Sequence, residues 1–473
     1  MEPYRLLTPV IGLLTACTTI DTTDLQSTEQ LPTLPRQYQE TPASGGSAEA
    51  ITEKWWQSFG NQELDQLITL AAAQSFDMKA AIANVRLAEA SVRLASASLW
   101  PELQADIEAG RNGFFEKDDD SSEYYAGLIA SYELDFWGGV RANRTSAEAL
   151  LAYSRFDRDI LRLSITANVA FQWLQWVGTR ERLHIAEQNL DTAQRLLGII
   201  QLRVDAGAAS ELDIVQQQRE VAGQQHIVAR LHQQQRENRN ILNLLLGRTE
   251  DLELHTTSLE ALTAPTIDAG IPSMLLVRRP DIARAEAALR SADADITVAR
   301  AAMLPAVNLG ITISGSDGQI SQILRDPIYT LVAGLTQPIF NGGALAAQLD
   351  AAVAIRDARM ANYQQAIITA FADTLNALNT IAGIDAQRQA QQQQLVLARR
   401  AYALAESRYR AGAIALTTLL DSQADLFDAE DTHALLRQQS LQARVDLFRA
   451  LGGGWTPQYL ATNASNTEKN SSE

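Results

Sequence analysis

The sequence predicts a membrane β-barrel continued by a long α-helical coiled-coil barrel, in an internally duplicated chain that supplies four strands to a barrel shared between copies. Three observations lead to this prediction. Two halves of the chain repeat each other, two proline-free stretches are long enough for very long helices, and four segments alternate between apolar and polar residues. Periodicity alone also allows a soluble half-buried sheet in place of the membrane barrel. It likewise allows a long two-stranded coiled coil in place of the helical barrel.

The composition is that of a large folded protein with an acidic balance. Of its 473 residues, 46% are hydrophobic and 20% are charged, and the formal net charge is −17. A nucleic-acid partner requires a basic patch, and the sequence holds no cluster of Lys and Arg. We therefore expect no nucleic acid among the partners.

The first residues indicate secretion and a lipid anchor. Arg5 precedes an apolar run, 6–16, which is too short to span a bilayer but suits the core of a signal peptide. The run ends in Leu14-Thr15-Ala16-Cys17, which resembles the bacterial lipoprotein signal, and Cys17 is the only cysteine. We predict a signal peptide at 1–16 and lipidation of Cys17. The alternative is a plain signal peptide with an incidental cysteine.

Two terminal segments lack the pattern of a packed core. Residues 17–60 begin with a stretch rich in Thr, Pro, Ser and Gln, which predicts an extended, lipid-anchored tether. Trp55-Trp56 and Phe59 mark where this tether is expected to pack on the body. Residues 453–473 are predicted to form a polar tail.

Proline spacing and a nearly constant offset indicate the duplication. No proline occurs between Pro101 and Pro265 or between Pro338 and Pro457, so these gaps are where long helices fit. The two halves align at a separation of 204 and then 205 residues. The aligned pairs are Pro101 with Pro305, Phe136 with Phe340, Gly138-Gly139 with Gly342-Gly343, Arg203 with Arg408, Ala206-Gly207-Ala208 with Ala411-Gly412-Ala413, and Leu246-Gly247 with Leu451-Gly452.

Each repeat is expected to contain a helix, a strand hairpin, a long helix, a glycine turn and a return helix. Repeat 1 covers 61–265, with strands at about 102–136, the long helix at about 138–204 and the return helix at 210–246. Repeat 2 covers 266–452, with strands at about 307–338, the long helix at about 342–409 and the return helix at 417–451. Each long helix would be roughly 100 Å long, so it must span a distance.

The first long helix carries coiled-coil spacing. Its register breaks near Gly178 and then resumes, which predicts packing against neighbours along most of its length. The seam positions are Ile160, Leu163, Ala167, Ala170, Leu174, Val177, Leu183, Ala186, Leu190, Ala193, Leu197, Ile200 and Val204.

Four segments alternate with a period of two, as strands with one apolar face do. Each has roughly the 9–11 residues that a tilted transmembrane strand requires. Tyr124, Phe136 and Trp137 stand at segment ends, where membrane-interface aromatics lie. No helix with 18 apolar residues is expected. The apolar faces are Leu103, Ala105, Ile107 and Ala109; Tyr124, Ala126, Leu128, Ala130, Tyr132, Leu134 and Phe136; Val307, Leu309, Ile311 and Ile313; and Tyr329, Leu331, Ala333 and Leu335.

Four strands cannot close a barrel by themselves. An open edge in lipid leaves backbone groups unpaired at several kcal/mol each, so at least two copies must combine. The segments Arg111–Glu123 and Gly315–Asp326 are predicted to be solvated external loops. Asp118-Asp119-Asp120 in the first of them is an alternative candidate for a cation site.

These features together resemble the outer-membrane factor family, the TolC and OprM group, and especially its lipidated NodT-type efflux channels. The likeness runs from Cys17 to about Pro457. Its most specific part is Arg408-Tyr409-Arg410-Ala411-Gly412 followed by Leu419-Leu420-Asp421-Ser422-Gln423. By the same likeness, Thr18 rather than Asp after Cys17 favours sorting to the outer membrane.

The resemblance implies an assembly and its partners. The family is known as homotrimers with a twelve-strand barrel in the Gram-negative outer membrane and a helical tunnel through the periplasm. It implies a periplasmic adaptor (membrane fusion) protein and an inner-membrane transporter, here expected to be proton-driven, as partners. It also implies no enzymatic activity and no cofactor; from the scattered histidines we separately predict no metal site.

The resemblance further assigns roles to the helix tips. Asp421 matches a periplasmic gate acid, and symmetry-related carboxylates there would favour cations; the alternative is a carboxylate that complements the helix dipole. Thr417 is a second gate candidate and departs from the bulky apolar residue that relatives carry. The implied adaptor contacts are Arg203, Gly207, Arg408, Tyr409 and Gly412.

No catalytic motif accompanies this pattern. The sequence has no HExxH, CxxC, GxSxG or phosphate loop, and His226 and His232, six residues apart, are interpreted as helix-surface residues. We therefore predict a passive exit duct for small molecules in a tripartite efflux pump. The alternatives are an outer-membrane duct for type I protein secretion and a non-conducting, lipid-anchored coiled-coil scaffold in the periplasm.

Overall fold

A computed structural model describes residues 32–35, 37–38, 51–115, 117–250 and 252–456, with backbone alone at 114 and 117–120. Residues from Leu34 onward belong to one unit, and only Pro32 and Thr33 of the other unit, Met1–Thr33, are described. The signal peptide at 1–16 and Cys17 lie outside the described residues, as do most of the tether and the tail from 457 onward.

Repeat 1 begins with two short helices, and polar caps start both of them. The Asn61 side chain accepts from the Leu64 N–H at 3.1 Å, and the Ser75 hydroxyl accepts from the Met78 N–H at 3.4 Å. The elements of repeat 1 are α1 at Gln62–Gln74, α2 at Phe76–Ala97, β1 at Glu102–Phe114, β2 at Lys117–Leu134, α3 at Gly139–Asp205 and α4 at Glu211–Leu245.

Repeat 2 reproduces this order and most of its lengths. The elements are α5 at Leu275–Arg278, α6 at Pro280–Ala301, β3 at Ala306–Asp317, β4 at Ile328–Thr336, α7 at Ala344–Arg410 and α8 at Leu416–Ala450. Helices α3 and α7 both have 67 residues, α4 and α8 both have 35, and α2 and α6 both have 22. The duplicated fold with very long helices is confirmed.

One detail of the alignment is corrected. The left-handed N-cap glycines are Gly138 (φ 77°) for α3 and Gly343 (φ 85°) for α7, a separation of 205, so pairing Gly138-Gly139 with Gly342-Gly343 is one residue out. The strands show that the offset between the repeats changes from 204 to 205 residues between the first and the second strand of each repeat. In the equivalent pairs Leu103–Ala130 and Val307–Leu335, β3 follows β1 by 204 residues and β4 follows β2 by 205. By the same shift of one residue, Phe136 is equivalent to Asn341 and not to Phe340.

The four strands form one antiparallel sheet in the order β1-β2-β3-β4. Its register puts all four predicted apolar faces on the same side, as in the row that joins Leu103, Ala130, Ile311 and Leu331 across the sheet. This side is uncovered in the single chain, with Leu103 70% and Leu331 74% exposed. Strands β1 and β4 are the two open edges.

The predicted loop Arg111–Glu123 is wrong. Strand β1 continues to Phe114 and β2 starts at Lys117, so Gly110 pairs with Glu123 in a long hairpin. Tyr124 therefore lies inside β2 rather than at its end. Ladder hydrogen bonds join backbone groups, and polar side chains do not prevent them where both faces are exposed. The side chains of the candidate cation site, Asp118-Asp119-Asp120, lie outside the described residues.

The helices pack in a pattern set by the repeat. Helix α6 lies between α3 and α7, and α8 also contacts both long helices, whereas α2 and α4 pack mainly on α3. A Cβ atom at Gly178, where the heptad register breaks, would collide with the Gln438 side chain. The break therefore admits α8 next to α3.

The main core lies around the middle of the long helices. Trp173 is fully buried, and its indole N–H donates to Glu63 of α1 at 2.8 Å. Trp55 and Phe59, 2% and 0% exposed, enter the same core, and Trp55 stacks on Phe448 with ring centroids 4.8 Å apart. The burial of Trp55 and Phe59 agrees with the prediction that the end of the tether packs on the body.

Helix α7 differs from the expectation that no helix would be apolar over 18 residues. It contains an 18-residue window with a mean hydropathy of 1.3, which has the length and composition of a membrane span, and 33% of that window is buried. Alanines spaced along α7 contribute to this value.

Candidate functional site

The tip of each helical hairpin is a glycine turn. Gly207 (φ 68°) ends α3 and Gly412 (φ 75°) ends α7, a backbone conformation that glycine adopts without strain. In both turns the amide after the glycine bonds back to an arginine carbonyl, from Ala208 to Arg203 at 2.7 Å and from Ala413 to Arg408 at 2.9 Å. The repeated Arg-x-x-Ala-Gly-Ala sequence is thus a helix-ending turn.

Arg203 and Tyr409 connect the two hairpins. The Arg203 guanidinium donates to the Tyr409 carbonyl oxygen at 2.9 Å and lies 4.6 Å from the centre of the Tyr409 ring. The ring is only 5% exposed and packs with Leu196, Ile200, Leu416 and Leu419. Burial raises the pKa of Tyr409, which Arg203 opposes and Asp213 reinforces.

The predicted adaptor contacts therefore differ in exposure. Gly207, Arg408 and Gly412 are exposed, and Arg203 is half-buried. Tyr409 has its ring inside the tip, where a partner cannot reach it without rearrangement. The sequence did not indicate this burial, because the motif is the same whether the tyrosine faces in or out.

Asp421 and Thr417 are both exposed and lie one turn apart on α8. Asp421 is the sixth residue of α8, beyond the first turn over which the helix dipole acts, so the dipole alternative has little support. Asp425 and Asp428 are also exposed and continue the same face at helical spacing. Their spacing from Asp421, four and then three residues, is the signal that would have found them.

The aromatic residues after β2 lie at one end of the sheet. Trp137 is 46% exposed and its indole N–H donates to the Pro305 carbonyl at 2.7 Å, which joins the two repeats. Phe136 is 64% exposed. These two residues keep the predicted position next to the strand ends, whereas Tyr124 is half-buried within β2.

A buried charge cluster joins three helices of repeat 2. Arg279 is 8% exposed and donates to Asp281 at 2.6 Å, to Asp373 at 3.2 Å and to the Ala450 carbonyl at 2.9 Å. Burial alone would lower the pKa of Arg279, but the two carboxylates outweigh it and raise the pKa. The cluster is satisfied internally, as a structural tie between α6, α7 and α8.

Within the described part of the chain, no group of three or more His, Cys, Asp or Glu side chains could hold a metal ion. His184 is 3.0 Å from Gln188, and His232 is 3.7 Å from Glu187.

Comparisons with known proteins agree with this architecture. The sequence matches the family described as "Outer membrane efflux protein" over residues 67–248 and 271–453, one range for each repeat. It is 42% identical over 428 residues to the pyoverdine export outer membrane protein OpmQ of Pseudomonas putida, covering 88% of this chain and 91% of that protein. It is 29% identical over 434 residues to the toluene efflux pump outer membrane protein TtgC of Pseudomonas putida, covering 88% of both.

A solved structure shares the fold. The outer-membrane channel OprN superposes with a TM-score of 0.83 at 28% sequence identity, covering 90% of this chain and 98% of that one. The likeness therefore includes the sheet and both helical hairpins.

Proposed function

Because the chain belongs to the outer membrane efflux protein family, we propose that it is the passive exit duct of a tripartite efflux pump that releases small molecules to the outside. The observation that carries this proposal is the placement of an exposed apolar sheet at one end of two 67-residue helices. Helices of that length reach about 100 Å, and an apolar sheet face of this size is stable in lipid but costly in water.

Three copies give the most suitable barrel. The sheet has two open edges, β1 and β4, and an unpaired edge inside lipid is costly. Two copies would give eight strands, a barrel filled by its own side chains, whereas three give twelve and leave a passage. The trimer is thus part of the proposal.

The sequence contains no phosphate loop and none of the HExxH, CxxC or GxSxG motifs, and we assign the driving force to partners. An inner-membrane transporter, proton-driven, and a periplasmic adaptor would deliver cargo to the tips, with exposed Arg408 and the Gly207 and Gly412 turns as the adaptor surface. Lipidation of Cys17 would hold the N-terminal tether to the outer membrane.

The cargo we propose is a siderophore of the pyoverdine type. This rests on the OpmQ relative, whose identity of 42% exceeds the 29% of the toluene pump component. A strain that lacks this gene should retain the siderophore inside the cell, and the complemented strain should restore it to the medium. Unchanged siderophore in the medium together with greater sensitivity to solvents would indicate that the cargo is an organic solvent, as for the toluene pump component, and not a siderophore.

Conductance of the purified protein in planar bilayers tests the duct itself. Asp421→Asn should reduce the preference for cations by severalfold if the Asp421 carboxylates ring the passage. Gln216, 205 residues earlier, is the equivalent position of repeat 1, so Gln216→Ala serves as the control and should leave selectivity unchanged. A purified trimer that never conducts, even with Asp421 and the tip residues replaced, would leave only the scaffold alternative.

A further inference from the structure

An open cleft lies between the loop that joins the two repeats and the second helical hairpin. Its volume is about 410 Å³. Glu260 lines it on the loop side, and Arg388 of α7 with Arg437 and Ser440 of α8 line it on the helix side. Two of the three charged side chains around this cleft are therefore arginines.

The arginines are arranged around one buried serine. Ser440 is 1% exposed, and its hydroxyl accepts from Arg388 at 3.1 Å and from Arg444 at 2.7 Å. Asp385 accepts from Arg444 at 3.2 Å but lies 3.7 Å from Arg388. The guanidinium of Arg388 has five N–H donors and makes this one hydrogen bond among the described residues, so most of its donors are available to a ligand.

The positive charge in this region is not fully compensated. Burial lowers the pKa of Arg388, Arg444 and Arg437 lower it further, and Asp385 opposes them only in part. The same excess acts on His433, whose pKa is lowered by burial and then by Arg437, Arg388 and Arg399. An anion placed in the cleft would relieve this repulsion.

The first repeat shows that helix packing does not require an arginine at this position. The residue 205 positions before Arg388 is Leu183, which is 6% exposed and packs with Ala186 and Leu231. Leucine thus fills the equivalent place between α3 and α4, whereas α7 and α8 keep a charge beside an open cleft. A buried charge that packing does not need indicates a ligand.

Glu260 holds the second arginine of the cleft in a weak contact. Its carboxylate accepts from Arg437 at 3.0 Å, but the Glu260 side chain is 73% exposed. An ion pair this exposed contributes little stability. Glu260 can therefore turn towards solvent and leave Arg437 to another anion.

We propose that this cleft is a binding site for a small oxyanion of the size and charge of phosphate, held between Arg388 and Arg437. Forked guanidinium groups match the oxygens of such an anion and bind them by charge-assisted hydrogen bonds. Ser440 positions Arg388 without touching the ligand. The bound anion would join the loop between the repeats to α7 and α8 and stabilise their contact.

Titration of the purified full-length protein with inorganic phosphate tests the site. Isothermal titration calorimetry in a chloride buffer of constant ionic strength should show saturable binding, and the melting temperature should rise as phosphate is added. Chloride added to the same ionic strength should not raise it. No phosphate response beyond that of chloride would overturn the proposal.

Variants of the cleft should shift the affinity in opposite directions. Arg437→Gln should weaken phosphate binding severalfold, and Glu260→Gln should strengthen it severalfold because a competing carboxylate is removed. Arg399→Gln is the matched control. It removes the same charge about 16 Å further along α7, where Arg399 pairs with Glu430 at 3.1 Å, and it should leave the affinity unchanged.

Arg388→Leu separates a ligand-binding role from a structural one. Because repeat 1 carries leucine at this position, the variant should fold and melt, without phosphate, at or above the temperature of the parent, yet lose the response to phosphate. A variant that melts lower and still binds phosphate would mean that Arg388 is a structural residue and would overturn the site. A protein that conducts in bilayers but does not bind phosphate would overturn the site and leave the duct intact.

Discussion

Arg203 of repeat 1 holds Tyr409 of repeat 2 by two contacts at once, a 2.9 Å hydrogen bond to its carbonyl and a cation–π contact with its ring at 4.6 Å. The equivalent of Arg203 in repeat 2 is Arg408, which is exposed and has no such contact in the described chain. The two tips of one protomer are therefore tied together by one arginine, not by two.

Replacement of Arg203 should loosen the tip. A hydrogen bond to a charged group contributes about 1.5–3 kcal/mol when it is well desolvated and a cation–π contact about 0.5–1 kcal/mol, and the half-buried position of Arg203 favours the lower values. Arg203→Ala should increase amide hydrogen exchange in the last turns of α3 and α7 by about tenfold. Arg408→Ala is the matched control, and an equal effect of both variants would contradict the role given to Arg203.

The two return helices offer a second matched pair. Ser210 caps α4 through a reciprocal box with Asp213, whereas Ala415, the N-cap of α8, makes no side-chain cap bond. Ala415→Ser with Thr418→Asp should build the missing box and stabilise the first turn of α8 by about 1 kcal/mol. Ser210→Ala should destabilise α4 by a similar amount.

Hydrogen exchange in the first turn of each return helix measures both changes. Exchange should slow in α8 of the double variant and accelerate in α4 of Ser210→Ala, with the other hairpin unaffected in each case. No slowing in α8 would mean that tertiary packing of Leu416 and Leu419, not the cap, controls fraying there.

The repeat and the long helices followed from sequence because their signals are long. A separation of 204–205 residues recurs over some 150 positions, and proline gaps limit where helices fit. The alternating faces also aligned correctly, since the row from Leu103 to Leu331 brings all four to one side of the sheet. These features depend on periodicity and chain length, which the sequence contains directly.

Local exceptions did not follow from sequence. The hairpin beyond Gly110 stays paired although its residues are polar, because strand pairing there needs no apolar face. The burial of Tyr409 depends on contacts with Ile200 and Leu416, which come from other helices. Asp425 and Asp428 were missed because the Leu-Leu-Asp motif ends before them.

His433 should make stability depend on pH. Burial lowers its pKa, Arg437, Arg388 and Arg399 lower it further, and Glu181 partly opposes them. The folded state therefore favours neutral imidazole, so the contribution is fully present above the unfolded pKa of about 6.5 and is lost as the pH falls through the lower folded value. Thermal unfolding followed from about pH 7.5 to about pH 5 should show this loss.

His433→Gln should reduce the fall in melting temperature on acidification. His184→Gln is the control, since His184 is exposed on α3, and it should keep the parent dependence. If both variants behave as the parent does, carboxylates elsewhere control the acid sensitivity.

The open strand edges should meet at a register that the repeat specifies. Within one chain, Ser131 of β2 pairs with Gly310 of β3. Their equivalents are Thr336 of β4, 205 residues after Ser131, and Asp106 of β1, 204 residues before Gly310. If three copies close a barrel, Thr336 of one copy should therefore lie opposite Asp106 of the next.

Oxidation of Thr336→Cys with Asp106→Cys should link copies of the chain into dimers and trimers in outer-membrane preparations. Ser131→Cys with Gly310→Cys tests the same geometry inside one chain and should not change the apparent mass. Thr336→Cys with Ala105→Cys is the mismatched control, because a shift of one residue moves the side chain to the opposite face of the sheet. Stronger linking by the mismatched pair would mean that the barrel closes at another register, and the alternation would then place polar residues in lipid along the whole seam.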